Sequence, residues 1–330
     1  MLTAEYPPFR PLSFCSGPHQ QTIGAFLAPG RMSGHKAVKH VVSLSDGDRL
    51  VIHDDQPRSW ITGDRIAVLF HGLCGCHGSP YIVRTSDKLR RAGIRTIRVD
   101  MRGFGDSALI SRSHAHAGCS QDVGSIIRFL DGISPLSRIS LIGFSMGANI
   151  VLKAIGEWGE HFPLNVDSAI VVAPPVCLMS TSANLRSYGN RIYDRYFTAR
   201  LKKQLQMRRR HVKGLVDVNL RQVPDRLIHF DDQFTAPVWG YSGAREYYES
   251  ASCGPLMKYV QIPTVIVTSR DDPIVPFEIF DRFEMSSNIE MVATGSGGHL
   301  GFLARGDTDP DRFWLDWRIA KWVGAIDDVP

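Results

Sequence analysis

Arg138-Ile-Ser-Leu-Ile-Gly143-Phe-Ser145-Met-Gly147-Ala-Asn-Ile-Val-Leu152 decides how this chain folds. Its first five residues are a short, mostly apolar run of the kind that forms a buried strand, and the residues from about Ala148 to Trp158 read as a helix. Between them lies Gly-x-Ser-x-Gly, in the strand–turn–helix context of a nucleophile elbow. Lacking Cβ atoms, both glycines let strand and helix approach while the serine is held on a strained turn. A helix starting beside Ser145 also directs free N–H groups and a positive dipole end at any anion formed there. The context matters more than the letters: with 30 glycines in 330 residues, the bare pattern would arise by chance in roughly one such chain in five.

The same reading extends in both directions. Ala37–Leu44 and Arg49–His53 alternate around Ser45-Asp-Gly-Asp48 as an antiparallel hairpin. Arg65–Phe70, Ile94–Met101 and Ala169–Ala173 are further strands, with helices expected at Tyr81–Ala92 and Cys119–Leu130. This alternation specifies an α/β fold with a doubly wound, mostly parallel sheet. It stops between residues 176 and 257, where Tyr193, Phe197, Leu201 and Leu205 recur every four residues on one expected helix. Arg208-Arg-Arg210 at its end reads as a solvated helix terminus rather than a nucleic-acid patch. Strands resume at Thr264–Thr268 and Ile289–Ala293, and Asp311–Ile326 is amphipathic. The expected organisation is an extension at 1–36, core at 37–175, a helical cap insertion at 176–257 and core again at 258–330.

With 43% apolar and 22% charged residues, the chain belongs with globular proteins rather than disordered or fibrous ones. No stretch approaches the roughly 18 consecutive apolar residues of a membrane span. The net charge of +5 leaves room for peripheral contact with an anionic surface. Six scattered cysteines suit a reducing compartment, so a cytoplasmic protein is expected. Cys74 and Cys76 lie near His71 and His77 but lack the separated ligand pairs of a zinc fold, and no metal is expected.

A serine needs a base and an orienting acid, and both follow in the chain. Asp272-Pro-Ile-Val-Pro276 comes just after a strand, and Gly297-Gly-His299 follows the last one. The order Ser145, Asp272, His299 is that of α/β-hydrolases. Asp271 remains an alternative acid, with Asp272 preferred for its spacing to Pro276. Oxyanion donors are expected at the N–H groups of Met146, after the nucleophile, and Leu73, after an early strand.

Beyond the elbow, several segments resemble the YheT-like branch of the α/β-hydrolases. His19-Gln-Gln-Thr22 resembles its amino-terminal H-x-Q-T, and His71-Gly-Leu73 with Ser79-Pro-Tyr81 its oxyanion loop. Arg102-Gly103 resembles its strand-end turn, and Phe230-Asp-Asp232, Thr235-Ala-Pro237 and Tyr247-Tyr248 a segment of its cap. The resemblance implies an α/β-hydrolase fold with the charge relay on Ser145, Asp272 and His299. It also implies esterase or acylglycerol-lipase activity on a small-molecule ester or lipid, with no cofactor. Cys74 and Cys76 depart from the acidic and small hydroxyl residues expected there, and the membrane anchor of the branch's animal members has no counterpart. Tyr193, Phe197, Phe230, Trp239 and Tyr241 would cover the site, or form the insertion's own core. The alternatives are a thioesterase, amidase or acyltransferase on the same triad, or a binding protein that has kept the fold without the reaction. The Asp272 and His299 partners weigh against the last. A dinucleotide-binding protein would need a G-x-G-x-x-G that residues 71–78 do not supply.

Overall fold

Ile66–Phe70 (β3) is buried along its whole length, and its side chains divide between two cores: Ile66, Val68 and Phe70 pack on one face of the sheet, Ala67 and Leu69 on the other. That division follows from the two-residue period of a strand and requires helices on both faces. The computed structural model describes residues 6–28, 37–212, 215, 225–306 and 309–326. Parts of the expected extension (1–5, 29–36) and of the expected insertion (213–214, 216–224) lie outside the described residues.

Eight strands form one sheet in the order β1-β2-β4-β3-β5-β6-β7-β8. The hairpin β1 (Val38–Ser43) and β2 (Arg49–Asp55) is antiparallel, and β2 pairs antiparallel with β4 (Arg95–Asp100). From β4 onward β3, β5 (Ile139–Phe144), β6 (Val166–Val172), β7 (Thr264–Ser269) and β8 (Ile289–Thr294) run parallel. Helices α1 (Pro18–Leu27) and α2 (Pro80–Arg91) precede α3 (Ser120–Ile133) and α4 (Met146–Trp158). The strands read from sequence are all present to within a few residues.

Between β6 and β7 the described residues carry the helices α5 (Leu178–Leu185), α6 (Arg191–Arg209), the short α7 (Leu227–Phe230) and α8 (Ala236–Val238), and α9 (Ala244–Ala251). Helix α10 (Trp314–Ala325) closes the fold against α2. Within α6, Tyr193, Leu201 and Leu205 are buried as their spacing requires, each contributing on the order of 1.5–3 kcal/mol.

The expectation of a solvated terminus at Arg208-Arg-Arg210 fails at its first residue. Arg208 is 1% exposed. Its guanidinium donates to the carbonyls of Ala108 (2.9 Å), Ser111 (2.7 Å) and Ser113 (2.8 Å), tying α6 to the loop after β4. Those carbonyls need donors in a dry interior, and an arginine reaching in from the helix supplies them. Replacing Arg208 with alanine leaves three buried acceptors without this donor and should cost about 3 kcal/mol or more in urea unfolding. Arg210→Ala, at an exposed position, should change stability by less than about 0.5 kcal/mol.

Candidate active site

Ser145 stands between β5 and α4 with φ 53° and ψ −117°, a conformation that costs a side-chain-bearing residue energy. Its N–H donates to Val172 O at 2.8 Å, anchoring the turn to β6. A Cβ on Gly147 would come within 2.5 Å of Phe70 O, and one on Gly143 within 2.6 Å of the Ala148 Cα. Only glycine permits either approach. Met146 opens α4, so its N–H has no acceptor within the helix.

Ser145 Oγ lies 2.9 Å from His299 Nε2, and His299 Nδ1 lies 2.8 Å from Asp272 Oδ2. The second Asp272 oxygen accepts the N–H groups of Ile274 (2.8 Å) and Val275 (3.0 Å), which fixes the carboxylate. Asp271 does not reach the ring; its Oδ1 accepts Gly298 N–H at 2.9 Å and braces the loop that carries His299. Of the two adjacent carboxylates, it is Asp272 that faces the imidazole.

The amino-terminal segment holds that loop from the other side. Thr22 Oγ1 accepts the His299 N–H at 2.8 Å and itself donates to Pro18 O. Gln21, fully buried, exchanges hydrogen bonds with Leu303 through Oε1 (2.7 Å) and Nε2 (3.0 Å). A Cβ on Gly298 would meet Pro18 O at 2.4 Å. The His19-Gln-Gln-Thr22 motif therefore positions His299, which periodicity and composition give no means of seeing.

On the opposite side of Ser145 runs the loop after β3. A Cβ on Gly72 would come 3.1 Å from the Ser145 Cβ. Tyr81 OH accepts Gly72 N–H at 2.8 Å, which gives the Ser79-Pro-Tyr81 motif its purpose. Neither Leu73 N–H nor Met146 N–H meets a protein acceptor among the described residues, and both residues line one cavity with Ser145. His71 is fully buried, and that burial lowers its pKa. As the neutral Nδ1–H tautomer, it would donate to Gly72 O and accept Met101 N–H on Nε2.

Cys74 and Cys76 do not converge with His71 and His77. Burial pushes the Cys74 thiol up to about 12, and it donates weakly to Phe197 O on α6. His77 turns instead to Asp100, donating its backbone N–H to Oδ1 and lying 2.7 Å from Oδ2 through Nδ1. His53, His77, Asp100 and Asp106 bring potential ligand atoms within 4.8 Å of one another. The His53 and His77 rings, however, stack 3.5 Å apart at 18°. Nearly parallel imidazoles share no nearby point lying in both ring planes, so the pair is a poor metal chelate and buttresses the loop instead.

The cavity at Ser145, about 80 Å³ in volume, is walled largely by Leu178, Leu185, Leu201, Leu227, Ile274 and Val275. Of the aromatics expected over the site, only Phe197 lines it. Tyr193, Phe230, Trp239 and Tyr241 pack within or against the core. Residues 114–117, Tyr247 and Tyr248 also line it. The 114–117 stretch carries no sequence signal of this role. Asp231 accepts hydrogen bonds from Thr235 Oγ1 and Tyr248 OH, both at 2.7 Å, and Asp232 accepts Ala244 N–H at 2.9 Å. These contacts give a physical basis to the Phe230-Asp-Asp232, Thr235 and Tyr247-Tyr248 signature.

A mostly parallel sheet with a Ser–His–Asp chain at the carboxyl ends of its strands defines the α/β-hydrolase class. The model of the alpha/beta hydrolase fold matches residues 68–305, and the chain belongs to that family. It is 28% identical to the protein YheT of Escherichia coli (strain K12), over 97% of this chain and 93% of that protein. It is 26% identical to the human monoacylglycerol lipase ABHD2, over 99% of this chain and 81% of the relative. Among solved structures, the Pyrococcus furiosus esterase Pf2001 has the same fold, with a TM-score of 0.56 at 16% identity, covering 90% of this chain and 98% of the esterase.

Burial raises the Asp231 carboxyl to about 6. A carboxyl raised on folding stabilises the native state below its unfolded pKa, and this contribution is lost as pH rises through the folded value. Stability relative to Asp231→Asn should therefore fall by roughly 2–3 kcal/mol between pH 4 and pH 7.5, read as the difference between the two proteins' urea unfolding free energies.

Proposed function

We propose that this protein is a serine hydrolase that cleaves carboxylic esters through an acyl-enzyme on Ser145. The observation that carries the reading is the unbroken hydrogen-bond chain from Ser145 Oγ through His299 to Asp272 at 2.9 and 2.8 Å. In this mechanism His299 Nε2 takes the hydroxyl proton as Ser145 attacks the ester carbonyl. Asp272 holds the tautomer and stabilises the imidazolium, and the imidazolium protonates the departing alcohol. A water, deprotonated by the same imidazole, then releases the carboxylic acid and restores Ser145. The N–H groups of Leu73 and Met146 would receive the oxyanion at each stage.

The apolar walls supplied by α5, α6 and α7 support an acyl chain of short to medium length as the group bound beside Ser145. We take residues 176–257 to be the cap over that site and the remainder as the hydrolase core with its amino-terminal extension. The human relative is named a monoacylglycerol lipase, and a yeast relative, 25% identical over 80% of this chain, a medium-chain fatty acid ethyl ester synthase/esterase. Both names support the ester class. The six unpaired thiols support a cytoplasmic location.

Wild-type protein should label with a fluorophosphonate probe and turn over p-nitrophenyl esters, while Ser145→Ala should do neither. A folded wild type inert to both reagents would overturn the proposal. Thr22→Val removes the hydroxyl that accepts the His299 N–H, at a residue outside the cavity lining. It should lower kcat about three- to tenfold with KM little changed, corresponding to one lost hydrogen bond.

A further inference from the structure

Helices α1 and α6 lie side by side at the edge of the site. The His19 and Tyr193 rings stack, with Nδ1 and OH 2.9 Å apart, and Phe26 meets Tyr196 edge-on at 6.0 Å between centroids. Their inner faces serve the site: Thr22 receives the His299 N–H, and Phe197 and Leu201 wall the cavity. The outer faces are unusual for water-facing helices. Ile23, Phe26 and Leu27 on α1 and Ile192 and Tyr196 on α6 are all exposed, Leu27 to 69% and Ile192 to 63%. Tyr188, just before α6, is exposed to 88%. A cluster of large apolar side chains of this kind marks an interaction surface rather than chance exposure.

The charge on the same face selects the partner. On α6, Arg191, Arg195, Arg200 and Lys203 are exposed, Lys202 pairs with the exposed Asp225 at 2.8 Å, and the helix's one acid, Asp194, is buried on Arg226 and the Leu227 N–H. Arg191 and Arg200 stand beside the rings of Tyr188 and Tyr196, 5.6 and 5.9 Å from their centroids. Aromatic and aliphatic tips flanked by arginines match the headgroup boundary of an anionic bilayer. A two-fold contact with a second copy would instead set like charges against one another.

We infer that the α1–α6 face docks on an anionic lipid surface, which turns the side of the molecule that walls the site toward the membrane. Docking of this kind is independent of the chemistry at Ser145. The test is co-sedimentation of full-length protein with vesicles of phosphatidylcholine alone and of an equimolar phosphatidylglycerol–phosphatidylcholine mixture. Wild type should pellet with the anionic vesicles and much less with the neutral ones, and high salt should weaken the binding. Phe26→Glu with Ile192→Glu, and separately Arg191→Glu with Arg195→Glu, should each lower partitioning about tenfold or more. Unfolding midpoints near wild type would show that the variants remain folded.

Failure of the wild type to pellet with anionic vesicles would overturn the inference, as would variants that pellet equally well. A wild-type dimer in light scattering that Phe26→Glu with Ile192→Glu converts to monomer would assign the patch to a second copy and also overturn it. Ser145→Ala should pellet like the wild type. A protein that binds vesicles but hydrolyses no ester would retain this inference and lose the esterase reading.

Discussion

The backbone at Ser145 is the constraint on which the rest of the site depends. A serine with positive φ is unfavourable in isolation, and here it is held by a hydrogen bond to β6 and by glycine contacts on both sides. The close approaches are to backbone rather than to flexible side chains: Gly147 lies against the carbonyls of Phe70 and His71, and Gly143 against Ala148. The elbow can therefore exist only where β3, β5 and α4 are already assembled. The loop after β3 has its end set by the same contact, which is why Gly72 sits against Ser145. Fold and site share one set of packing contacts.

The imidazole is governed by a different kind of constraint. His299 lies in a loop rather than on a rigid element, and a loop holds a side chain in place only if its backbone bonds are satisfied from outside. Two remote segments supply those bonds: α1 through Thr22 and Gln21, and the end of β7 through Asp271 and Ser269 Oγ, which donates to Gly298 O at 2.8 Å. Two adjacent aspartates thus divide the work, one positioning the loop and the other facing the ring. This division also explains why the chain's amino-terminal helix belongs to the site although it is the most distant in sequence.

Legibility in the sequence tracked the range of the interaction. Strands announced themselves by apolar runs and α6 by its four-residue recurrence, because those signals are local. Ser145, Asp272 and His299 could be picked out because their order and their places after strands are properties of the linear chain. Arg208 could not be read correctly, since its partners lie about a hundred positions earlier, and an arginine at a helix end looks solvated until the loop beneath it is placed. The 114–117 wall of the cavity was hidden for the same reason. The His19–Thr22 segment was visible as a resemblance only; its physical role appears when Gly298 and Gly301 are found packed against it.

The cavity shows how polar residues can build an apolar chamber. His114, His116, Asp231, Thr235, Tyr247 and Tyr248 all contribute to its walls. Their polar atoms, however, are largely engaged with one another or with backbone: Asp231 with Thr235 and Tyr248, Tyr247 OH with the Ala117 N–H, and His116 Nδ1 with the Gly118 N–H. Burial lowers both histidines to about 3, so their imidazoles are neutral at physiological pH. Apart from Asp231, whose carboxyl is raised only to about 6 and is met by two hydroxyls, the wall is neutral and largely satisfied internally, so a hydrocarbon chain meets few unpaired polar groups there. The N–H groups of Leu73 and Met146, which meet no protein acceptor among the described residues, belong to residues of this same lining, as does the unpartnered Thr181 Oγ1.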